Sequence, residues 1–390
     1  MPLSPKTVRQ LYIWHKWTGL FAGLFLFIIN FSGAVAVFKE EIDRLVTPAK
    51  VVQAASTKAP LDSVVANVLH MFPHVKISRI TLPTRADAAI AIDAAQNGSR
   101  MEIFANPYTG AITGSRTGEN LADVIRQTHL RFFFFGFWGR VFVGFFGFVM
   151  VVTTTTGLFI YGRFMRGIFS RGLHFWSIRL GLQLATSDLH KLIGMGALAF
   201  NLLIGVTGTV LGLENLTRYT PNLQQSMHPR PRMKASSSDP AQAKTKISYD
   251  AALRTASIAL DRFEPRFIVT PANATSTLVV YGNLRNGFAR DGASFVAVNA
   301  DGTREVEIHS ETRSTRIGWF YNFVEPLHYG YFGGVALKTA YLLFGFAASF
   351  LSITGFLLWW CTSRKGFSVK RDRCALAADP LRRRQTSAEA

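Results

Sequence analysis

The chain has 390 residues, of which 48% are hydrophobic and 17% charged, and its formal net charge is +19. The apolar residues are concentrated in long uncharged stretches, which excludes an ordinary soluble protein. A large positive charge suggests nucleic acid at first, but its distribution argues against that partner. The basic residues gather in three segments, Lys6–Lys16, Arg163–Arg179 and Arg364–Arg384.

Four stretches lack Asp, Glu, Lys and Arg altogether: Trp17–Phe38, Val141–Gly162, Leu192–Leu213 and Thr339–Ser363. Crossing a bilayer as a helix takes about 20 apolar residues. We therefore predict four transmembrane helices, over residues 12–38, 138–162, 188–213 and 334–361. A cleaved signal peptide is the alternative for the first, but its apolar run is longer than such a peptide needs, so we predict a retained anchor.

The basic segments alternate with two long segments between the predicted spans. By the positive-inside rule, the N-terminus (1–11), the middle loop (163–187) and the basic tail (362–390) are cytoplasmic. The tail is also suited to contact anionic lipid, although a solvated tail is the simpler interpretation. The long segments, 39–137 and 214–333, then lie on the outer side and have the mixed composition of folded domains.

Both outer segments show the same predicted order of elements, a helix followed by short strands. In the first, the predicted elements are helix Leu61–Phe72, strands Val75–Leu82, Ala88–Asp93 and Arg100–Phe104, and helix Asn120–Leu130. In the second, they are helix Tyr249–Arg262, ended by Pro265, and strands Arg266–Thr270, Leu278–Gly282 and Ser294–Asn299. Turn clusters follow the last strand of each set, and Met227–Lys246 resembles a flexible entry to the second domain.

A histidine motif, His-Lys-x2-Gly-x12-Ser/Thr-Gly, occurs at both the first and the third span. It places His15 and His190 just inside the cytoplasmic ends of these spans. His129 and His328 precede the second and fourth spans at nearly equal distances from Thr156-Gly157 and Thr354-Gly355. The chain is therefore interpreted as a tandem duplication whose halves are parallel repeats about an axis along the membrane normal.

A two-fold arrangement makes His15 face His190 in an inner layer and His129 face His328 in an outer layer. Two axial nitrogens per layer are the ligands expected for two six-coordinate haem b groups. With only Cys361 and Cys374 present and no Cys-x-x-Cys-His motif, any haem would be held noncovalently. Zinc or copper would need further ligands that the spans lack.

Each of these residues also has a simpler interpretation. A single histidine at a membrane edge is commonly a headgroup contact or a helix cap. The small residues of the spans fit either a flat macrocycle or close helix packing. Lys16, Lys191, Arg131 and Arg140 fit haem propionates or plain interfacial anchors. His174, in the cytoplasmic loop, is an alternative inner ligand.

Three stretches carry a resemblance to a known family: Trp14–Leu20, Asp188–Gly194 and Glu325–Gly330. Together with Thr354-Gly355 and the following Trp359, they resemble signatures of the PepSY-associated transmembrane helix family, over nearly the whole chain. The resemblance implies an α-helical membrane protein with four transmembrane helices and two α+β PepSY-like periplasmic domains.

That family includes FoxB-like ferrisiderophore reductases with two haems. The resemblance implies a bacterial inner-membrane oxidoreductase that moves electrons from an unidentified cytoplasmic or membrane donor to a periplasmic ferric siderophore or other Fe(III) chelate. His15 and His190 would hold the inner haem, and His129 and His328 the outer one. Plausible substrate contacts, which an interfacial aromatic belt explains equally well, are Trp319, Tyr321, Tyr329 and Tyr331.

No Gly-x-Gly-x-x-Gly stretch opens a helix after a strand, so we expect no nicotinamide or flavin site of the chain's own. Two alternatives stay open at this point. One is a haem reductase with a different acceptor. The other is a PepSY-type binding or regulatory membrane protein without redox activity, in which the histidines are structural.

Overall fold

The computed structural model describes residues 4–132, 136–171, 182–231, 247–270, 277–299 and 301–378, in two compact units. The helical unit comprises residues 1–35, 128–212 and 339–390, and the sheet unit comprises residues 36–127 and 213–338. His174 lies outside the described residues, as does most of the predicted flexible entry Met227–Lys246.

The helical unit is built from five long helices: α1 (Pro5–Ala36), α5 (Phe137–Arg171), α6 (Leu182–Gly196), α7 (Leu198–Leu213) and α11 (Gly334–Ala378). Four helical stretches are long and apolar enough to cross a membrane, namely Pro5–Ala36, Trp138–Tyr161, Leu198–Thr217 and Tyr331–Ser363. These confirm the four predicted spans. The third differs in one detail, because a turn at Ala197 divides it into α6 and α7, although backbone hydrogen bonds continue across the turn.

Glycines bring α5 and α7 into close backbone contact. A Cβ atom added at Gly144 would lie 2.7 Å from Cα of Gly212, and one added at Gly147 would lie 3.0 Å from the carbonyl oxygen of Gly205. Small residues permit this approach between membrane helices, where packing rather than water drives association. The glycines at these positions therefore serve the packing of α5 against α7.

The sheet unit contains eight strands: β1 (Lys76–Thr81), β2 (Ile90–Gln96), β3 (Ser99–Ala105), β4 (Ile112–Thr117), β5 (Phe263–Val269), β6 (Leu278–Leu284), β7 (Ser294–Val298) and β8 (Glu305–His309). The remaining helices are α2 (Lys39–Val46), α3 (Leu61–Met71), α4 (Leu121–Arg131), α8 (Pro221–Met227), α9 (Tyr249–Ala259) and α10 (Arg316–Tyr329). Each outer segment thus gives a helix and four consecutive antiparallel strands. The predicted strands are present, while β4 and β8 were not predicted.

The sequence predicted two folded outer domains, but their strands do not form two separate sheets. All eight strands make one sheet in the order β4-β3-β2-β1-β5-β6-β7-β8. The first strands of the two halves pair antiparallel, with Ile80 opposite Ile268 at the centre of the pairing and both fully buried. Joining the halves removes two open sheet edges, which would otherwise expose unpaired backbone groups.

Two aspartates tie the halves together by capping each other's helices. Asp250 accepts hydrogen bonds from the backbone N–H groups of Leu61 and Asp62, both at 2.9 Å, at the start of α3. Asp62 in turn accepts from the N–H of Tyr249 at 2.6 Å and from the hydroxyl of Ser248 at 2.8 Å, at the start of α9. Free N–H groups at a helix start favour a carboxylate, so each helix satisfies the other.

A buried ionic cluster fixes α2 against the sheet. Asp43 is 1% exposed and accepts hydrogen bonds from Lys50 at 2.6 Å and Asn120 at 2.6 Å. Glu102 and Arg116 extend the cluster across β3 and β4. Burial alone would raise the pKa of Asp43, but the hydrogen bonds from Lys50 and Asn120 lower it below its ordinary value.

Pro265 does not end a helix as predicted. Helix α9 ends at Ala259, and Pro265 lies inside β5, where the register with β6 shifts between Pro265 and Phe267. Proline has no N–H to give to a ladder and is tolerated in a sheet at such an irregularity.

Candidate cofactor site in the helical unit

The structure brings His15 of α1 and His190 of α6 together. Their ring centroids are 6.3 Å apart and their ring planes are nearly perpendicular, at 81°. Both rings are half-buried. This is the arrangement that the repeated motif predicted for an inner layer, while the role of the two rings as ligands stays a prediction.

The hydrogen bonds of His15 determine which ring nitrogen carries the proton. Its Nδ1 lies 2.9 Å from the carbonyl oxygen of Thr153 and 3.2 Å from Oγ1 of Thr156, both on α5. A carbonyl oxygen only accepts, so Nδ1 carries the hydrogen and Nε2 carries a lone pair in the neutral ring. Histidines that bind metals are typically oriented in this way, by donation from the other ring nitrogen.

His190 reaches the same state through a side chain instead of a carbonyl. Its Nδ1 lies 2.7 Å from Oγ1 of Thr354 on α11. That hydroxyl has a single hydrogen, and the carbonyls of Phe350 at 3.0 Å and Leu351 at 3.2 Å are within its reach. With the hydroxyl hydrogen on either carbonyl, Nδ1 of His190 donates to the hydroxyl and Nε2 keeps its lone pair.

A glycine next to each threonine makes room for the ring. A Cβ atom at Gly157 would lie 3.1 Å from Cε1 of His15, and one at Gly355 would lie 3.6 Å from Cε1 of His190. The Thr-Gly pairs of α5 and α11 thus supply both a hydrogen-bond acceptor and space. Both pairs contact the imidazoles directly.

The two rings line a cavity of about 940 Å³ between α1, α5, α6, α7 and α11. This volume lies at the upper end of the range of small-molecule and cofactor sites. Gly19 and Gly194 line it as well; a Cβ at Gly19 would meet no atom within 4 Å, and one at Gly194 would meet only Leu351, at 3.8 Å. At these two positions the backbone is open to a flat group beside the histidines.

The separation of the two ring centroids is compatible with a metal held between the rings. A metal–imidazole bond is about 2 Å long, so two imidazoles on opposite sides of one metal ion have centroids roughly 6 Å apart. The observed separation is 6.3 Å. Within the described residues there is no group of three or more His, Cys, Asp or Glu side chains that could hold a metal ion. A group that brings its own equatorial ligands, such as haem, fits this two-nitrogen donor set.

Charged and aromatic residues surround the cavity. Lys16 and Lys191 both line it, as the propionate interpretation requires. Lys191 also forms an ion pair with Asp188 at 3.2 Å and lies 5.6 Å from the ring centroid of Tyr161. Tyr161 in turn meets His15 edge-on at 6.4 Å.

His129, at the end of α4, packs against α1. Its Nδ1 lies 2.9 Å from the carbonyl oxygen of Ile29, which again assigns the hydrogen to Nδ1. A Cβ atom at Gly33 would lie 2.6 Å from Cε1 of His129, so only glycine fits at that position. Two residues further on, Nε of Arg131 is buried and has no hydrogen-bond partner among the described residues.

His328 belongs to the sheet unit, near the C-terminal end of α10, where its ring packs edge-on against Tyr329 with centroids 5.8 Å apart. Glu325 precedes it by one turn, and burial raises the pKa of that carboxyl. The pairing of His328 with His129 stays a prediction. Four aromatic residues that were considered as substrate contacts, Trp319, Tyr321, Tyr329 and Tyr331, are on or next to α10.

Sequence reasoning did not assign the acceptors of the inner histidines, which are Thr153, Thr156 and Thr354. It also did not assign Asn201, the buried amide that lines their cavity. The two Thr-Gly pairs had been noticed as an echo between the second and fourth spans, and their distance from the histidine motifs is the signal that could have found them. Asn201 carries no such signal, because an isolated amide in a span has several possible roles.

The chain matches one family of proteins over most of its length, and one curated relative over a smaller part. The family described as PepSY-associated TM region matches residues 12–361. An uncharacterized protein of Pseudomonas aeruginosa is 28% identical over 256 residues, which cover 61% of this chain and 62% of that relative. The chain thus spans less than two thirds of the length of this relative.

Proposed function

The chain belongs to the PepSY-associated TM region family, and on that premise we propose that it is a di-haem electron-transfer protein of the bacterial inner membrane that reduces a periplasmic Fe(III)-siderophore. The observation that carries the proposal is the inner histidine pair. His15 and His190 meet at 6.3 Å in a large cavity, and both direct Nδ1 to an acceptor, which leaves Nε2 of each ring available to a metal.

The proposal includes a tandem parallel repeat with cytoplasmic termini and periplasmic outer segments. Three observations support it: the repeated order of one helix and four strands, the reciprocal caps of Asp62 and Asp250, and the alternation of basic segments along the chain. In this arrangement the inner histidines lie at the cytoplasmic side of the membrane.

His129 and His328 would hold the outer haem. For His129 the support is its donated hydrogen bond to Ile29 and the glycine that makes room for its ring. Arg131 adds a cation whose buried Nε lacks a partner among the residues that the structure describes. A guanidinium in this state is suited to a carboxylate such as a haem propionate.

When bound, haem supplies reversible one-electron chemistry at each layer. The histidines would then hold it, the apolar spans would exclude water, and the hydrogen bonds at Nδ1 would fix the orientation of the imidazoles. The net reaction moves one electron from a cytoplasmic or membrane donor to the Fe(III) of the chelate, which becomes Fe(II). Hard oxygen ligands hold Fe(II) less tightly, so reduction favours release of the iron.

The test is the absorption spectrum of the purified full-length chain. We expect a Soret band and about two haems per chain, and loss of about one haem in His15→Ala and in His190→Ala. His70→Ala, at an exposed residue of α3, is the control and should retain both haems. Proteoliposomes with an enclosed reductant should generate Fe(II) from an external ferric siderophore, detected with a ferrous-specific chelator. A colourless preparation would refute the proposal.

A further inference from the structure

The cavity has a second polar region, far from the histidines. Asn201 of α7 is 3% exposed, it lines the cavity, and its Oδ1 has no hydrogen-bond partner among the described residues. Asn201 follows His190 by about three helical turns, roughly 17 Å along the axis. A group centred between the two imidazoles does not extend that far.

A second amide lines the same end of the cavity. Asn30 of α1 follows His15 by about four turns, roughly 22 Å. The apolar residues Leu26, Leu198 and Ala348 also line the cavity. The charged side chains of the cavity, Lys16 and Lys191, are at the opposite end, next to the histidines.

The amide of Asn201 is not required by the packing of the span. When the two His-Lys-x2-Gly motifs are aligned, Asn201 corresponds to Leu26, which is also buried and also lines the cavity. An apolar side chain therefore fits the equivalent position of the first half. Leaving a buried carbonyl oxygen without a partner is unfavourable in hydrocarbon, so an occupant of the cavity is expected to donate a hydrogen bond to it.

We propose that the deep end of the cavity is a binding site for ordered water, held by the amides of Asn201 and Asn30. Water enters a buried site when the site is roomy and offers several polar partners, and two amides in a large cavity satisfy both conditions. A neutral ligand is favoured because no charged side chain lines the deep end within the described residues. The site does not depend on haem.

Met150 allows the site to be tested, because it lines the cavity one turn of α5 before Thr153 while being only 6% exposed. Radiolysis of bound water produces hydroxyl radicals that oxidise a nearby thioether, and the oxidised methionine is quantified by mass spectrometry. In the purified full-length protein we expect Met150 to oxidise at least fivefold faster than Met227, which is 1% exposed and lies in the sheet unit.

Asn201→Leu introduces the residue type that the first half has at the equivalent position, Leu26. It should lower the oxidation rate of Met150 at least fivefold. Met195, which lines the cavity five residues after His190, should keep its rate and so report that the cavity is intact. Asn201→Ser keeps a hydrogen-bonding group and should keep most of the labelling, which covers the case in which the leucine variant does not fold. Slow oxidation of Met150 in the unmodified protein, or equal oxidation in Asn201→Leu, would overturn the proposal. A haem-free preparation would refute only the electron-transfer function.

Discussion

Replacing Thr354 by valine removes the hydrogen-bond acceptor of one inner histidine and keeps the shape of the side chain. Among the described residues, Oγ1 of Thr354 is the partner of Nδ1 of His190, at 2.7 Å. Thr156→Val is the matched control on the other histidine. His15 would lose its 3.2 Å contact to that hydroxyl but would keep the 2.9 Å bond to the carbonyl of Thr153, which no side-chain substitution removes.

The magnitude follows from the cost of an unpaired donor. Leaving a buried N–H without a partner costs about 1–3 kcal/mol. At about 1.4 kcal/mol per factor of ten, this corresponds to roughly 5- to 150-fold in affinity, and the loss of an outer-shell partner of a metal-bound histidine typically costs about 10–100-fold. Because His190 is half-buried and water can partly replace the hydroxyl, we expect about tenfold weaker haem binding at the inner layer in Thr354→Val.

The assay is transfer of haem from the purified protein to an excess of apomyoglobin, followed by the Soret band. In Thr354→Val we expect about half of the haem to be lost faster than in the unmodified protein. In Thr156→Val the rate of haem loss should change less than threefold, by the same hydrogen-bond argument. Thr354→Ser should restore the rate of the unmodified protein. The reduction potential of the inner haem should also rise, because an imidazole that no longer donates from Nδ1 is a weaker base. Equal haem loss in the two valine variants would refute the reasoning.

Three further predictions concern other parts of the molecule. Gly33→Ala should displace His129 and release the outer haem, whereas Gly23→Ala, where a Cβ meets no atom within 4 Å, should release none; pyridine haemochrome assays measure both. Asp43→Ala should destabilise the sheet unit by about 2 kcal/mol at pH 7, since it removes one of the two carboxylates that pair with Lys50 and the 2.6 Å acceptor of Asn120. Because the folded-state pKa of Asp43 is lowered, this stabilisation is complete above about pH 4 and is lost as the pH falls below it, so the melting temperatures of the two proteins should converge in acid. Asp250→Ala should cost about 1 kcal/mol through its lost cap at α3, measured by the same melting experiment with Asp261→Ala, an exposed aspartate, as control.

The spans and the inner histidine pair could be predicted from the sequence because their signals are local or repeated. An uncharged run of sufficient length predicts a membrane helix without reference to other segments. The repeat then relates His15 to His190, although they are far apart in the chain, because equivalent positions of two similar halves face each other near the axis. The structure places the two rings 6.3 Å apart, as that reasoning requires.

The joined sheet could not be predicted in the same way. Strands β1 and β5 pair through backbone groups, which every strand has, so neither Ile80 nor Ile268 indicates its partner. Strands β4 and β8 were missed for a different reason. They lie at the two edges of the sheet and carry polar residues such as Arg116 and Glu307, so their hydrophobic pattern is weak even though a recognised turn precedes each of them.

The features that best mark the histidines as a set are the glycines beside them. Ser32-Gly33, Thr156-Gly157 and Thr354-Gly355 each place a glycine against an imidazole ring. In each case the acceptor of Nδ1 belongs to the same helix as the glycine and precedes it by one to four residues. These acceptors are the carbonyls of Ile29 and Thr153 and the hydroxyl of Thr354. A histidine that only caps a helix or contacts lipid needs no such glycine, since its ring can turn toward water. The recurrence of the same local construction at three rings therefore favours a shared requirement, which is an imidazole fixed in orientation.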